Sequence, residues 1–452
     1  MEEHVDVVVI GLGVGGEDLA GRLAEAGLNV VGVEAELVGG ECPYWACIPS
    51  KMMIRAGNLL AEARRIPGMA GASEVHPDFG PVAARIRNEA TDNWTDQVAV
   101  DRFTGKGGRF VRGRARLAGP GRVTVGDDTY IARRGVALAT GTTAAVPPID
   151  GLAGTPYWTN REAVSATDVP ASLLVLGGGA VGVELGQSFA RFGANVTIVE
   201  AAPRLLPGDE PEAGELLADG LTGEKITVRI GTAAQSVSCD GSTFTVTVAG
   251  GEQLHAEQLL VATGRRARLG DIGLESVGLD PDAKTITVDT QLRAGDRLWA
   301  IGDITGHGAF THIAMYQSRI AARAILGQPG PAASYHAAPR VTFTDPEVGA
   351  VGLTEQQARD AGIAVRTGTA SVPSSARGWI HKAGNDGIIK LVEDAGRGVL
   401  VGATSVGPVG GEVLGALAVA VHTAAPTDAL REMIYAYPTF HRAIEDALSH
   451  IQ

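Results

Sequence analysis

Cysteine is scarce in this chain: Cys42, Cys47 and Cys239 are the three in 452 residues. That count excludes a disulfide-stapled scaffold, which is dense in cysteine, and makes a close pair a candidate for redox catalysis or metal binding. Positive charge is in deficit. Lys and Arg number 38 against 51 Asp and Glu, a formal net charge of −13 with a pI near 5.3. An acidic surface repels phosphate backbones and anionic lipid, so neither a nucleic acid nor a membrane is an expected partner. Long apolar runs are also missing. The longest late one, Val413 to Val421, falls far short of the ~20 residues that a membrane span needs. The chain starts on Met1-Glu-Glu-His-Val-Asp6 without the basic stretch of a secretory leader, and the expectation is a cytoplasmic protein. Aromatic residues make up only 5%.

Glycine is abundant, at 62 residues, and recurs in tight turns. The apolar run 5–10 leads into Gly11-Leu-Gly13-Val-Gly-Gly16, a helical pattern follows to Ala26, and a second strand ends at Glu34, 18 residues past Gly16. Glycines at this spacing let the backbone approach a pyrophosphate, the helix N-terminus favours its charge, and the acid accepts from ribose hydroxyls. The same unit recurs 166 residues later. Leu173-Leu-Val-Leu runs into Gly177-Gly-Gly179-Ala-Val-Gly182, and Glu200 again stands 18 residues past the last glycine. Two copies predict two dinucleotide sites.

Between the copies, Gly39-Gly-Glu-Cys42-Pro-Tyr-Trp-Ala-Cys47-Ile-Pro-Ser-Lys51 heads a helix expected over 48–66. A disulfide needs Cα atoms about 4.4–6.8 Å apart, so the four-residue spacer must fold back; Pro43 favours the turn and a helix N-terminus at Cys47 favours a thiolate. A half zinc site and a plain structural disulfide are the alternatives. Zinc needs two further ligands, and Cys239 lies in a separate segment with no His nearby in sequence. Trp45 fits either a substrate wall or the core. Residues 81–104 look helical, rich in Ala, Arg and Val at mixed spacing. Short strands of a meander are expected at 109–112, 114–117, 122–125 and 129–132, with a separate strand from Gly135. After Gly327-Gln-Pro-Gly-Pro331, alternating strands (340–343, 387–392, 398–405) and helices (354–361, 411–423) suggest an α+β domain, with a mostly helical tail interrupted at Tyr437-Pro438.

With these motifs in order, the chain resembles the flavin-dependent pyridine nucleotide–disulfide oxidoreductases, which include dihydrolipoamide dehydrogenase, glutathione reductase, mercuric reductase and the soluble transhydrogenase. The likeness rests on the two glycine turns with Glu34 and Glu184, Cys42-x4-Cys47-Ile-Pro-Ser-Lys51, Ala139-Thr140-Gly141, Ala262-Thr-Gly264, Gly302-Asp303 and Pro346-Glu-Val-Gly. It implies an α/β fold: two Rossmann-like, glutathione reductase-like dinucleotide domains and a C-terminal α+β interface domain. The expected boundaries are 1–150 and 266–332 for FAD, 151–265 for NAD(P), and 333–452 for a homodimer interface. FAD would sit on the first unit and NAD(H), with NADP(H) as the alternative, on the second. The resemblance makes Cys47 the flavin-facing sulfur, Cys42 the exchanging one, and Lys51 with Glu184 an ion pair beside the flavin. Further cofactor contacts are implied at Gly40, Ala115, Thr311 and His312, beside Gly11, Gly13, Gly16, Glu34, Thr140, Gly141, Gly302 and Asp303. On the second unit they fall on Gly177, Gly179, Val181, Gly182, Glu200 and Gly264. No resident metal is expected. Glu200 favours NADH because a carboxylate repels a 2′-phosphate, with Arg204 nearby as a counterweight.

The tail departs from the pattern. Disulfide-reducing members carry His-x-His-Pro-Thr with a Glu five residues after the second His; this chain has Tyr435-Ala-Tyr437-Pro-Thr-Phe-His441-Arg442. Tyr437 takes the acid–base position and Arg442 that of its acidic partner. A phenol near pKa 10 mainly donates a hydrogen bond. His441 is a second candidate for the base. The expectation is an NAD(P)H-dependent flavoenzyme passing electrons through Cys42–Cys47 to an unidentified small-molecule acceptor. Direct transfer from flavin with spectator cysteines, as in a diaphorase or transhydrogenase, and a flavin-binding redox sensor are the alternatives.

Overall fold

The computed structural model describes residues 2–452, and the chain divides into two compact units. Of the described residues, the first contains 2–49, 84–145 and 265–334. Its main sheet has the order Arg293–Gly295, Leu298–Ala300, Asp128–Leu138, Glu2–Ile10, Val30–Glu34, Arg109–Arg112. The last five of these strands pair in parallel. Parallel strands need crossovers that cover both faces, and the sequence supplies apolar residues to both. Val8 and Ile10 join Val31, Val33, Val136 and Leu138 in one core, while Val7 and Val9 join Leu19, Leu23, Phe103 and Ile320 in the other. The period of two along the strand explains this division.

Helix Val14–Glu25 packs on helix Thr311–Leu326. A Cβ on Gly15 would stand 2.9 Å from the Ala314 methyl, so only glycine allows this approach. Strand Ala115–Leu117 pairs antiparallel with Arg122–Val125, which pairs antiparallel with the first residues, 128–131, of Asp128–Leu138. These three strands form the expected meander without its first strand: Arg109–Arg112 instead pairs in parallel with Val30–Glu34, and the strands expected at 129–132 and from Gly135 are one of 11 residues. The helix expected over 81–104 is also broken. It forms as Gly80–Arg85, a π-helical turn Ile86–Ala90 and, after an irregular loop, Gln97–Gly105.

The second unit contains residues 50–83, 146–264 and 335–452. It holds a parallel sheet ordered Thr227–Arg229, Asn195–Val199, Ser172–Leu176, Gln258–Val261, and an antiparallel sheet of Ala234–Cys239, Phe244–Val248 and Gln253–Ala256. A five-stranded antiparallel sheet runs Pro339–Thr342, Glu347–Gly352, Val399–Gly407, Ile388–Asp394, Val365–Ser371. Helices Gly410–His422 and Ala443–Ser449 bury Leu414, Leu417, Ile444 and Leu448 against its Val351, Ile389 and Leu391. Strands Glu347–Gly352 and Val365–Ser371 were not expected from the sequence. Among the described residues, no helix is long and apolar enough to cross a membrane.

Candidate active site

The two glycine turns have the same construction. Gly11 adopts φ +91° and Gly177 +113°, and a Cβ at either would strike the carbonyl oxygen of Ala139 (2.4 Å) or Ala262 (2.3 Å). A Cβ on Gly16 or Gly182 would lie 2.0 Å from the carbonyl of Gly11 or Gly177. Gly13 and Gly179 differ: a Cβ there would meet nothing within 4 Å. Each is the N-cap of its helix, with no side-chain cap on the first-turn N–H groups. Open backbone donors at a helix N-terminus suit an anion such as a pyrophosphate.

The acids at the strand ends are duplicated too. Glu34 accepts the Leu12 and Glu36 N–H groups, both at 2.8 Å. Glu200 accepts those of Gly178 and Ala202, both at 2.6 Å. Each carboxylate is oriented by its own turn and keeps lone pairs for a ribose. Burial pushes the Glu34 carboxyl above its ordinary value, against the hydrogen bonds from Glu36 and Leu12 that lower it. The Arg204 guanidinium turns to the carbonyls of Pro207 (2.8 Å) and Asp209 (3.2 Å).

The cysteine segment rests on the first turn. The Gly39 N–H donates to Leu12 O at 2.7 Å, and a Cβ on Gly40 would be 2.8 Å from Gly13 Cα. Gly39 and Gly40 take φ +104° and +68°, which fold the chain into the short helix Glu41–Tyr44. Cys47 then opens the 19-residue helix Cys47–Arg65, whose N-terminal field favours a thiolate. Its Sγ lies 3.4 Å from Thr311 Oγ1, at the head of helix Thr311–Leu326. Trp45 is half-buried and stacks on Trp94, 5.6 Å between centroids. Cys239 lies on an antiparallel strand of the other unit and accepts the Gly241 N–H.

Thr140, Gly141, Gly302 and Asp303 gather in the first unit. Asp303 accepts from Thr142 Oγ1 at 2.6 Å, Thr142 accepts from Arg265 Nε at 2.7 Å, and Thr140 donates to Arg268 O at 3.1 Å. Gly302 N–H is held by Gln317 Oε1 at 2.6 Å. Ala115 begins its strand, and His312 stacks on Phe310 with centroids 5.2 Å apart. Thr142 and Gln317 escaped the sequence reading.

In the second unit, Lys51 Nζ and Glu184 Oε2 stand 2.7 Å apart. Glu184 also accepts the Phe343 N–H at 2.8 Å. Val181 sits half-exposed on the same helix as Glu184, and Gly264 takes φ +115°. In the tail, Tyr437 is 71% exposed and followed by a cis Pro438. The Arg442 guanidinium lies 5.6 Å from the Tyr437 ring and pairs with Glu445 at 3.0 Å. His441 is exposed on the short 3-10 turn between them.

Residues 5–318 match the family model described as pyridine nucleotide-disulphide oxidoreductase, and residues 338–448 match that family's dimerisation domain. The chain belongs to this family. Its relatives include the dihydrolipoyl dehydrogenase of Thermus scotoductus, 34% identical over 98% of this chain and 96% of that enzyme. The mercuric reductase of Streptomyces lividans is 33% identical over 97% and 94%. Among solved structures, the HOCl-induced flavoprotein disulfide reductase RclA from Escherichia coli superposes with a TM-score of 0.85 at 26% identity, over 98% of this chain and 99% of that one. LpdA from Mycobacterium tuberculosis superposes at 0.86 with 25% identity, over 98% and 99%. Family members are NAD(P)H-dependent FAD disulfide oxidoreductases with the glutathione reductase-type fold, and this chain is an enzyme of that type. Gly13 and Gly179 suit the two pyrophosphates, and Glu34 and Glu200 the two riboses.

Proposed function

We propose that this enzyme takes electron pairs from NADH, holds them as the Cys42–Cys47 dithiol, and gives them to a small-molecule acceptor other than an ordinary disulfide. The observation that carries the reading is the placement of Cys47: it opens a long helix, with a hydroxyl 3.4 Å from its sulfur. Bound FAD supplies the hydride acceptance and two-electron storage that link the nucleotide to the sulfurs. Gly13, Glu34, Thr140, Asp303 and the Thr311 helix would hold it, and Gly179 and Glu200 the nicotinamide dinucleotide. Lys51, kept in place by Glu184, is the ammonium that the family resemblance would put beside the flavin. Cys42 is the sulfur that exchanges with the acceptor. Closing the disulfide releases two electrons and two protons.

The acceptor class follows from the tail. Tyr437 and the cationic Arg442 offer a hydrogen-bond donor and a positive charge where a thiol-exchanging enzyme places a base and an acid. In the homodimer that the dimerisation domain supports, this tail would serve the neighbouring subunit's site. The domains would be 1–150 with 266–332, 151–265 and 333–452, in a cytoplasmic protein. Anaerobic titration of the holoenzyme with NADH tests the route. Long-wavelength charge-transfer absorbance at two-electron reduction is expected, from a Cys47 thiolate against the flavin. Direct bleaching to reduced flavin without that band would exclude the dithiol.

A further inference from the structure

The segment from Ile86 to Asp96 concentrates backbone cost. The π-helical turn Ile86–Ala90 ends at Thr91, and Asp92, Asn93 and Trp94 then all lie in the left-handed region, at φ +45°, +54° and +55°. None is glycine, so each Cβ opposes the conformation. Trp94 Nε1 is buried without a hydrogen-bond partner, an added cost of a desolvated donor. Thr91 ties the turn together by donating to the carbonyls of Ile86 and Arg87, at 3.0 and 3.1 Å. Strained backbone and π-turns persist where other contacts hold them, and they cluster at functional sites.

Two contacts show what this loop braces. Trp94 stacks on Trp45 with 22° between the planes. Asp96 Oδ2 accepts the Val38 N–H at 2.7 Å. The loop thus grips the redox segment on both sides of Cys42. Within that segment the spacer Pro43-Tyr44-Trp45-Ala46 carries no charge. Tyr44 is buried, whereas Trp45 and Trp94 keep part of their surfaces in solvent. The spacer between the cysteines is therefore flat-sided, uncharged and held rigid, while Glu41, next to Cys42, is engaged by Arg265 at 3.3 Å and Arg268 at 3.8 Å.

We propose that the Trp45–Trp94 pair is the wall against which the electron acceptor lies, and that the acceptor is a flat, uncharged, conjugated compound of the quinone class. This rests on electrons leaving through Cys42–Cys47. Indole faces take flat π-systems by offset stacking, and a spacer without charge offers nothing to an ionic peptide thiol. The dithiol loses two electrons and two protons and closes its S–S bond. The quinone gains both and leaves as the hydroquinone, and NAD(P)H supplies the next pair.

The test compares 2-methyl-1,4-naphthoquinone with ferricyanide, which needs no stacking, in the holoenzyme and in Trp45→Leu, Trp94→Leu, Trp45→Phe and the double leucine variant. Each leucine variant is expected to raise the naphthoquinone KM about two- to tenfold and to lower the quinone-to-ferricyanide ratio of kcat/KM by the same factor. Trp45→Phe should keep most of the wild-type value, and the double variant should lose less than the sum because one stack is removed twice. Equal losses with both acceptors, or an unchanged quinone KM, overturn the proposal. Trp45→Leu answers independently should Trp94→Leu fail to fold. The anaerobic NADH titration separates the two readings: a wild-type charge-transfer band with an unchanged quinone KM sinks the wall alone, whereas no band sinks the dithiol route beneath it.

Discussion

Lys51 and Glu184, 133 residues apart in sequence, meet at 2.7 Å, and the Lys51 ammonium lies 4.7 Å from the centroid of the Phe343 ring. Only 6% of the Glu184 side chain is exposed, against 37% for Lys51. The carboxylate is therefore desolvated and depends on its two donors, while water still screens the lysine. Lys51→Met should destabilise the protein by about 1–2 kcal/mol, below the cost of breaking a fully buried pair. Glu184→Gln, which keeps an acceptor for the Phe343 N–H, should cost less. Urea midpoints for the three proteins check this, and indistinguishable midpoints would refute it.

The Cys47–Thr311 contact gives a spectroscopic prediction. A hydroxyl donating to a thiolate stabilises the charged sulfur. Thr311→Val should therefore weaken the charge-transfer band of the two-electron-reduced enzyme at neutral pH, and Cys47→Ser should abolish it. Absorbance spectra during anaerobic NADH titration decide the matter. A full-strength band in Thr311→Val would show that the hydroxyl does not act on the sulfur.

The nucleotide turns were legible in the sequence because their signal is local: an apolar run, glycines at fixed spacing, a helix and an acid all fall within about thirty residues. The duplicated pattern in which Glu34 and Glu200 each accept two backbone N–H groups follows from that local geometry. The break in the helix expected over 81–104 was not legible. Asp92, Asn93 and Trp94 take the left-handed region without a glycine to announce it, and nothing local pairs Trp94 with Trp45. The strand Glu347–Gly352 was hidden by its glycines, which weaken strand propensity. A carboxylate such as Glu210, brought to Lys390 from 180 residues away, leaves no trace in either segment.

Glu200 should set the choice of nucleotide. Its oxygens are oriented by the Gly178 and Ala202 N–H groups, and the nearby Arg204 is engaged with backbone carbonyls. Charge-assisted hydrogen bonds are worth about 1.5–3 kcal/mol. Glu200→Ala should therefore raise the KM for NADH by about ten- to a hundredfold and reduce the preference over NADPH. Steady-state kinetics with both nucleotides test this. A wild-type enzyme that prefers NADPH would overturn the assignment.

Lys390 offers a test of stability against pH. Its ammonium, on a side chain only 6% exposed, contacts Glu210 at 2.9 Å, Glu212 at 2.8 Å and Glu355 at 3.1 Å. Burial opposes the charge, but the hydrogen bonds that the ammonium donates to the three carboxylates outweigh it and hold the lysine well above its ordinary range. Glu355 is held below the usual carboxylate value, first by Arg359 and, after burial acting the other way, by Lys390. A raised lysine contributes stability that is complete below its unfolded pKa of about 10.4 and disappears only as pH rises through the folded value. A lowered carboxylate contributes above its unfolded pKa of about 4.3 and loses that contribution as pH falls. The cluster should thus contribute a constant amount between about pH 6 and 9. Lys390→Met leaves Glu210, 2% exposed, as a buried carboxylate without its counter-ion, at a cost of about 3–5 kcal/mol across that window. Below about pH 4 the gap should narrow as the carboxylates protonate. Urea denaturation of both proteins from about pH 2.5 to 9 measures it, and a gap of equal size at both ends would show that Lys390 acts through packing rather than charge.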